Sequence, residues 1–165
     1  MTMPPEVFDA INAQIGMELA SARLYLSMAA HFHAEHLPGF AHWMRLQADE
    51  ENEHAMRLFD HLVERQQRPV LGALEAPPAQ FGSVREVVQA VVDHEAKVTA
   101  SIHTLLELAE SHKDHATASM LDWFVTEQVE EEKQAGDVLG RLDLIESTGG
   151  SLIMLDKEMG KRGRD

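Results

Sequence analysis

The chain has 165 residues, 44% of them hydrophobic, which suits one domain with a substantial apolar core. It contains no cysteine, so disulfide bonds, cysteine-ligated zinc and thiol catalysis are excluded. The formal charge of −14 disfavours nucleic acid as a partner and favours the attraction of cations.

The N-terminus has none of the features of a signal peptide. The segment Met1–Glu6 is neither basic nor followed by a long apolar run. No stretch of about 18 apolar residues follows anywhere in the chain, so no membrane span is expected. The expected location is therefore the cytoplasm.

Four long helices and one short helix are predicted from hydrophobic periodicity and from the positions of proline and glycine. Together they predict an all-α single domain over residues 1–165, with a bundle at about 5–146 and a short helix at about 151–159. The short helix cannot be stable alone, so its apolar side needs either its own bundle or a neighbouring subunit. Of the two, we expect a contact between subunits. The predicted helices are Pro5–Ala34, Phe40–Arg65, a third from a capping box at Ser83 to a turn at Ser111–His115, a fourth from that turn to about Ile145, and Ser151–Met159.

The connections between the helices predict the topology. Short turns join the first two long helices and the last two, so each pair forms an antiparallel hairpin. The segment between the hairpins, Gln66–Gly82, is rich in proline and glycine and reaches at most ~60 Å when extended. A helix of the predicted second-helix length is only ~39 Å long. One long crossover is therefore expected, which places the third helix parallel to the second.

Polar residues interrupt the apolar stripes of all four long helices, and they repeat at one distance. The same 77 positions separate the members of each pair, as if one hairpin repeated the other. The pairs are Glu18 with Glu95, Glu50 with Glu127, Glu51 with Gln128, and His54 with Glu131.

This pattern is typical of a two-metal centre. Buried carboxylates that lack partners cost several kcal/mol each, so a core with this many is expected to hold cations. Single carboxylates from two helices, combined with ligand pairs three residues apart on two others, form the di-iron or di-manganese centres of four-helix bundles. We therefore predict ligands at Glu18, Glu51, His54, Glu95, Gln128 and Glu131.

Some nearby residues allow two interpretations. Glu50, Glu127 and Glu130 are either part of a solvated acidic face or a third, looser metal position. Tyr25, the single tyrosine, lies two turns from Glu18 and is either a core aromatic or a hydrogen-bond donor to a ligand carboxylate. Glycines at 136 and 140 inside the fourth helix indicate either a close helix approach or a bend.

At these residues the chain resembles the non-haem bacterial ferritins, over nearly its full length. The resemblance includes the crossover, the short last helix, and the segments Gly39-Phe40-Ala41, Gln47-Ala48-x-Glu50-Glu51 and Glu127-Gln128-x-Glu130-Glu131-Glu132. It implies a ferritin-like fold and a hollow cage of twenty-four subunits that oxidises Fe(II) with O2 or H2O2 and stores ferric mineral.

The resemblance also implies roles for single residues. Glu18, Glu51 and His54 correspond to the ligands of the first iron, and Tyr25 to a tyrosine beside the centre. The second iron corresponds to Glu51, Glu95 and Glu131 with Gln128 close by, and the third to Glu50, Glu127, Glu130 and Glu131.

Departures from related families narrow the expected function. Bacterioferritins place a haem-ligating methionine one residue after the bridging glutamate; Asn52 occupies that position, so haem is not expected. Rubrerythrins ligate iron with cysteine, which this chain lacks. Two alternatives to ferroxidase-driven storage stay open: a non-catalytic, metal-buffering cage subunit, and a di-metal oxygenase acting on an organic substrate.

Overall fold

The computed structural model describes residues 3–163 and places five helices in them, which confirms the predicted all-α fold. Four long helices form a bundle and a short one follows. In this described part no helix combines the length and the apolar character needed to cross a membrane. The helices are α1 (Pro5–Ala34), α2 (Pro38–Glu64), α3 (Val84–Ser111), α4 (His115–Thr148) and α5 (Leu152–Met159).

The side chains that join neighbouring helices establish the topology. From α1 to α3, Gln14 contacts Ser101 and Ser21 contacts His94, so the residue numbers run in opposite directions along the two helices. The short turn between α1 and α2 also makes those two antiparallel. Because α2 and α3 both run opposite to α1, they are parallel to each other, as predicted.

The long connection lies along α1. Val70 N–H donates to Asn12 Oδ1 at 2.7 Å, and Ser27 Oγ donates to the Pro78 carbonyl at 2.6 Å. As the connection advances from residue 70 to 78, its contacts therefore move along α1 by some four turns. This confirms the predicted crossover.

Two predicted helix ends were wrong by a few residues. Helix α2 begins at Pro38 rather than Phe40, because proline fits the first turn, where its missing N–H has no partner to lose. Helix α4 continues to Thr148 rather than about Ile145. It ends there because Gly149 adopts a left-handed conformation with φ of 69°, which favours glycine. The predicted capping box at Ser83 is present.

The apolar core has two halves with a polar layer between them. One half is built around Phe32, Phe40 and Trp43, and the other around Ile11 and Leu58. Almost every residue of the predicted stripes is buried in one half or the other. Val125 is an exception, since it is only partly buried at the edge of the second half.

Helix α5 packs on the bundle of its own chain, whereas a contact with another subunit was expected. Leu155 and Met159 are buried in the first half of the core, and Asp156 Oδ1 accepts a hydrogen bond from Phe40 N–H at 2.9 Å. This contact places a carboxylate at the N-terminus of α2, where the helix dipole favours negative charge. Ile153 and Met154 point away from the bundle and are 65% and 67% exposed.

The two glycines inside α4 make no close contact within the chain. A Cβ atom built at Gly136 or at Gly140 meets no heavy atom of the described chain within 4 Å, apart from the immediate backbone of the helix itself. A close approach of another helix of the same chain is therefore wrong as an explanation.

This geometry leads to a stability prediction. We expect Gly136→Ala to raise the free energy of unfolding by about 0.5–1 kcal/mol, because alanine loses less backbone entropy in a helix. Reversible urea denaturation would measure the change. A loss of stability, or a change in particle mass, would show that Gly136 meets a neighbouring chain.

Candidate metal centre

Six predicted ligands converge in the polar layer between the two halves of the core. They come from all four long helices, and none is more than 3% exposed. On α2 and α4 the ligands are three residues apart, which turns each pair to one side of its helix. The six are Glu18 on α1, Glu51 and His54 on α2, Glu95 on α3, and Gln128 and Glu131 on α4.

Glu18, Glu51 and His54 form a compact group. Each offers one ligand atom, and these atoms lie within 4.8 Å of one another. Within residues 3–163, Glu18 Oε2, Glu51 Oε2 and His54 Nδ1 are buried and have no hydrogen-bond partner. Such atoms are costly to leave unsatisfied, and a cation bound by these three residues would offset that cost.

The carboxylates from α3 and α4 are held by protein donors instead. The Tyr25 hydroxyl donates to Glu95 Oε1, and Gln128 Nε2 donates to Glu95 Oε2 at 3.2 Å. Gln47 Nε2 donates to Glu131 Oε2 at 2.7 Å. Tyr25 therefore has the contact that its hydrogen-bonding interpretation predicted, whereas the contact of Gln47 was not predicted.

A second group of possible ligands opens toward the surface. His54, Glu127 and Glu131 also place ligand atoms within 4.8 Å of one another. They line a cavity of about 340 Å³, and Glu50 and Glu130 lie on its wall. The structure thus brings together the residues predicted for a third position, although Glu130 remains exposed.

The rings of Trp123 and Phe124 fix the orientation of His54. Both lie edge-on to the imidazole, with ring centroids at 5.4 Å and 5.9 Å. The Arg57 guanidinium lies 4.1 Å from the centroid of Trp123. Burial, with a smaller effect of Arg57, lowers the pKa of His54 to about 4. The imidazole is therefore neutral at physiological pH and keeps a lone pair for a cation.

Burial and the charges of neighbouring glutamates raise the pKa values of these carboxyl groups. Desolvation raises the pKa of Glu51 well above its usual value, and the charges of Glu18 and Glu95 raise it further. Burial, followed by the charge of Glu95, raises the pKa of Glu131 to about 8, although the Gln47 amide acts in the opposite direction. Without a cation these groups cannot all be ionised together, so a divalent ion would replace protons as it binds.

Two glutamines near the centre had no role assigned to them from the sequence. Gln14 Nε2 donates to Glu18 Oε1 at 2.8 Å, from one turn earlier on α1. Gln47 lies one turn before Glu51 on α2. Spacing of four residues on a helix is the signal that could have identified Gln14, because such residues face each other. Gln47 reaches a ligand on another helix, which no local spacing indicates.

The chain matches one family model and is similar in sequence to proteins of that family. The sequence model of the ferritin-like domain matches residues 8–145. The chain is similar to a bacterial non-heme ferritin of Escherichia coli, with 34% identity over 157 residues and 95% of each chain covered. It is also similar to one of Bacteroides fragilis, with 36% identity over 154 residues, or 93% of this chain and 96% of the relative.

Solved structures are similar over almost the whole chain. An open pore ferritin from the hyperthermophilic archaeon Archaeoglobus fulgidus matches with a TM-score of 0.95 and 44% identity, and 98% of each chain is covered. A form of the same protein engineered to be closed also matches with a TM-score of 0.95, at 43% identity.

Proposed function

The chain belongs to the ferritin family, and on that premise we propose that it is an iron-storage ferritin with ferroxidase activity. In this proposal its substrates are Fe(II) and either O2 or H2O2. Its product is a ferric mineral held inside a cage of twenty-four identical subunits.

The group of Glu18, Glu51 and His54 is the observation that carries the proposal. Three buried side-chain atoms that have no hydrogen-bond partner among the described residues belong to the group, which a cation would stabilise. The charges of Glu18 and of the carboxylates from α3 and α4 all raise the pKa of Glu51, which supports Glu51 as the shared ligand. Two Fe(II) ions held around one shared carboxylate can each give one electron to the same oxidant.

The proposed reaction balances in atoms and charge. Two Fe(II) and one O2 take up two protons and give two Fe(III) and one H2O2, and with H2O2 as oxidant the product is two waters. Carboxylate oxygens are hard ligands and favour the ferric state, which helps to drive the oxidation. Ferric ions would leave through the cavity lined by Glu127, Glu50 and Glu130.

We assign the residues as follows. The first Fe(II) binds Glu18, Glu51 and His54, and the second binds Glu51, Glu95 and Glu131 with Gln128 close by. Glu50, Glu127, Glu130 and Glu131 form the third, transient position. No haem is part of the proposal, because Asn52 offers no suitable axial ligand and its amide donates to the Ala48 carbonyl at 2.9 Å.

Addition of Fe(II) to the purified protein in air tests the proposal. We expect rapid oxygen consumption, retention of iron in the protein fraction, and a particle mass near twenty-four times that of the 18.4 kDa chain. Iron binding without oxidation of Fe(II), both in air and after addition of H2O2, would instead indicate the metal-buffering alternative. A protein that neither binds iron nor consumes oxygen would contradict the proposal.

Tyr25 provides a prediction about the second position. We expect Tyr25→Phe to slow Fe(II) oxidation about tenfold, because Glu95 would lose the hydroxyl that orients it. The helices should remain, since phenylalanine keeps the volume of the ring. Stopped-flow absorbance of ferric species would measure the rate, with Phe59→Tyr as a control for altered aromatic content. A wild-type rate would remove Tyr25 from the centre.

A further inference from the structure

We propose that Gln14 is a positioning residue for Glu18, that Ser101 holds it in place, and that this pair determines how tightly the first metal ion binds. The inference rests on the proposed function, because it assumes that Glu18 is a ligand. It adds two residues from outside the predicted ligand set.

A short chain of hydrogen bonds leads from α3 to the ligand. The Ser101 hydroxyl donates to Gln14 Oε1, and Gln14 Nε2 donates to Glu18 Oε1 at 2.8 Å. A second, weaker contact joins Gln14 Nε2 to Met17 Sδ at 3.9 Å. An ionised carboxylate only accepts hydrogen bonds, so the Gln14 amide must turn its NH2 group toward Glu18. Its oxygen then faces Ser101, whose hydroxyl can donate.

Burial makes this contact specific. Gln14 is 3% exposed and Glu18 is fully buried, so water does not readily replace the amide. The amide occupies Oε1 of Glu18 and leaves Oε2 without a partner among the described residues. Oε2 is therefore the oxygen that we assign to a metal ion held with Glu51 and His54, the two residues grouped with Glu18. Without the amide, the Glu18 carboxylate could rotate, and either oxygen could turn away from the ion.

Residues that orient a metal ligand commonly change metal affinity by about 10–100-fold when they are replaced. Gln14→Met keeps most of the side-chain volume and removes both hydrogen-bonding groups. We expect this variant to bind the first ion about tenfold or more weakly, with a normal helix content. Co(II) is a suitable probe, because its visible absorption reports its ligands and it is not oxidised in air.

Ser101 provides a matched pair of variants. Ser101→Ala removes the donor to Gln14, so we expect a smaller loss of Co(II) affinity and a shifted visible spectrum. Ser101→Thr keeps a hydroxyl and should retain wild-type binding. Its extra methyl has space, because Ser101 lines a surface cavity of about 440 Å³. Thr104→Ala is the control, since Thr104 lines the same cavity but donates only to the Ala100 carbonyl of its own helix.

The experiment is a titration of each full-length variant with Co(II), followed by visible absorption. The inference is supported if Gln14→Met and Ser101→Ala weaken the first binding step and change its spectrum, while Ser101→Thr and Thr104→Ala do not. It is overturned if Gln14→Met binds the first Co(II) with wild-type affinity and spectrum. If Gln14→Met does not fold, the contrast between Ser101→Ala and Ser101→Thr decides the question.

The Co(II) titrations, together with the Fe(II) oxidation assay of the wild type, separate this inference from the proposed function. If wild type oxidises no Fe(II) while Gln14→Met still weakens Co(II) binding, the ferroxidase proposal fails and the positioning role stands. If wild type oxidises Fe(II) rapidly and all variants bind Co(II) equally, the ferroxidase proposal stands and the positioning role fails.

Discussion

Replacing Glu51 with alanine should slow Fe(II) oxidation by more than about 100-fold, the largest catalytic effect that we expect from any single substitution. The estimate follows from the cost of losing residues that only orient ligands, which is about 10–100-fold. Glu51 is assigned to both iron positions, so its loss should remove both of them. Stopped-flow absorbance and oxygen consumption after addition of Fe(II) would measure the effect.

Two further variants serve as controls for the Glu51→Ala experiment. Glu51→Gln keeps the side-chain volume and removes the charge, so it separates loss of the ligand from creation of a cavity. Glu107→Gln removes an exposed carboxylate from α3, far from the predicted ligands, and should oxidise Fe(II) at the wild-type rate. An initial rate for Glu51→Ala within a fewfold of wild type would contradict the assignment of Glu51.

The metal-free form of Glu51→Gln should be at least as stable as the metal-free wild type. The pKa of Glu51 is raised above 4.5 in the folded protein, so ionisation of this carboxyl opposes folding. Below pH 4.5 the group is protonated in both the folded and the unfolded chain and contributes nothing. The penalty grows as the pH rises, and we therefore expect the gain in melting temperature to be larger at pH 8 than at pH 5. An equal or smaller gain at pH 8 would show that Glu51 has a charged partner in the folded state.

Gly39→Ala should cause the largest loss of stability. A Cβ atom at this position would lie 1.6 Å from the Asp156 carbonyl oxygen, a backbone atom that no side-chain rotation can move away. Helix α5 would have to leave α2, exposing Leu155 and Met159 at a cost of about 1.5–3 kcal/mol for each side chain. Differential scanning calorimetry of the metal-free protein would measure the fall in melting temperature.

Two comparisons establish the cause of that loss. A chain truncated after Gly150 lacks α5 and should melt close to Gly39→Ala, because both lose the same contacts. Gly140→Ala adds the same methyl group inside α4 and should not lower the melting temperature, because within residues 3–163 only the nearby backbone of α4 itself lies within 4 Å of the added Cβ. If Gly39→Ala melts like wild type, α5 is not docked on α2 in solution.

Local pattern was sufficient to predict the helices and most of the centre. The period of the apolar residues identified all four long helices, because a helix that buries one side must repeat every 3.6 residues. The same stripes located Glu18, Glu51 and Glu95, because a carboxylate in an apolar stripe is conspicuous and costly. The structure now shows these three buried beside one another, with each of their pKa values raised.

The tertiary structure alone decided how the predicted ligands are held. Tyr25 and Gln128 occupy the two oxygens of Glu95, and Gln47 holds Glu131 from another helix. These contacts depend on the distance and rotation between helices, which the period of a single helix does not specify. For the same reason, no pattern near Glu18 indicated that Ser101, 87 positions from Gln14, completes the hydrogen-bond chain to it.

For α5 too, the sequence determined the helix and the tertiary structure determined where it packs. The sequence by itself determined that residues 151–159 form a short helix that needs an apolar partner, because so short a helix is unstable in water. The sequence led us to expect another subunit as that partner, which was wrong for Leu155 and Met159. The fold buries them in their own chain by bringing Asp156 to the N-terminus of α2, 116 positions away from Phe40 in the chain. Only packing in three dimensions can pair groups so distant in sequence, since their contact depends on the path of every helix between them.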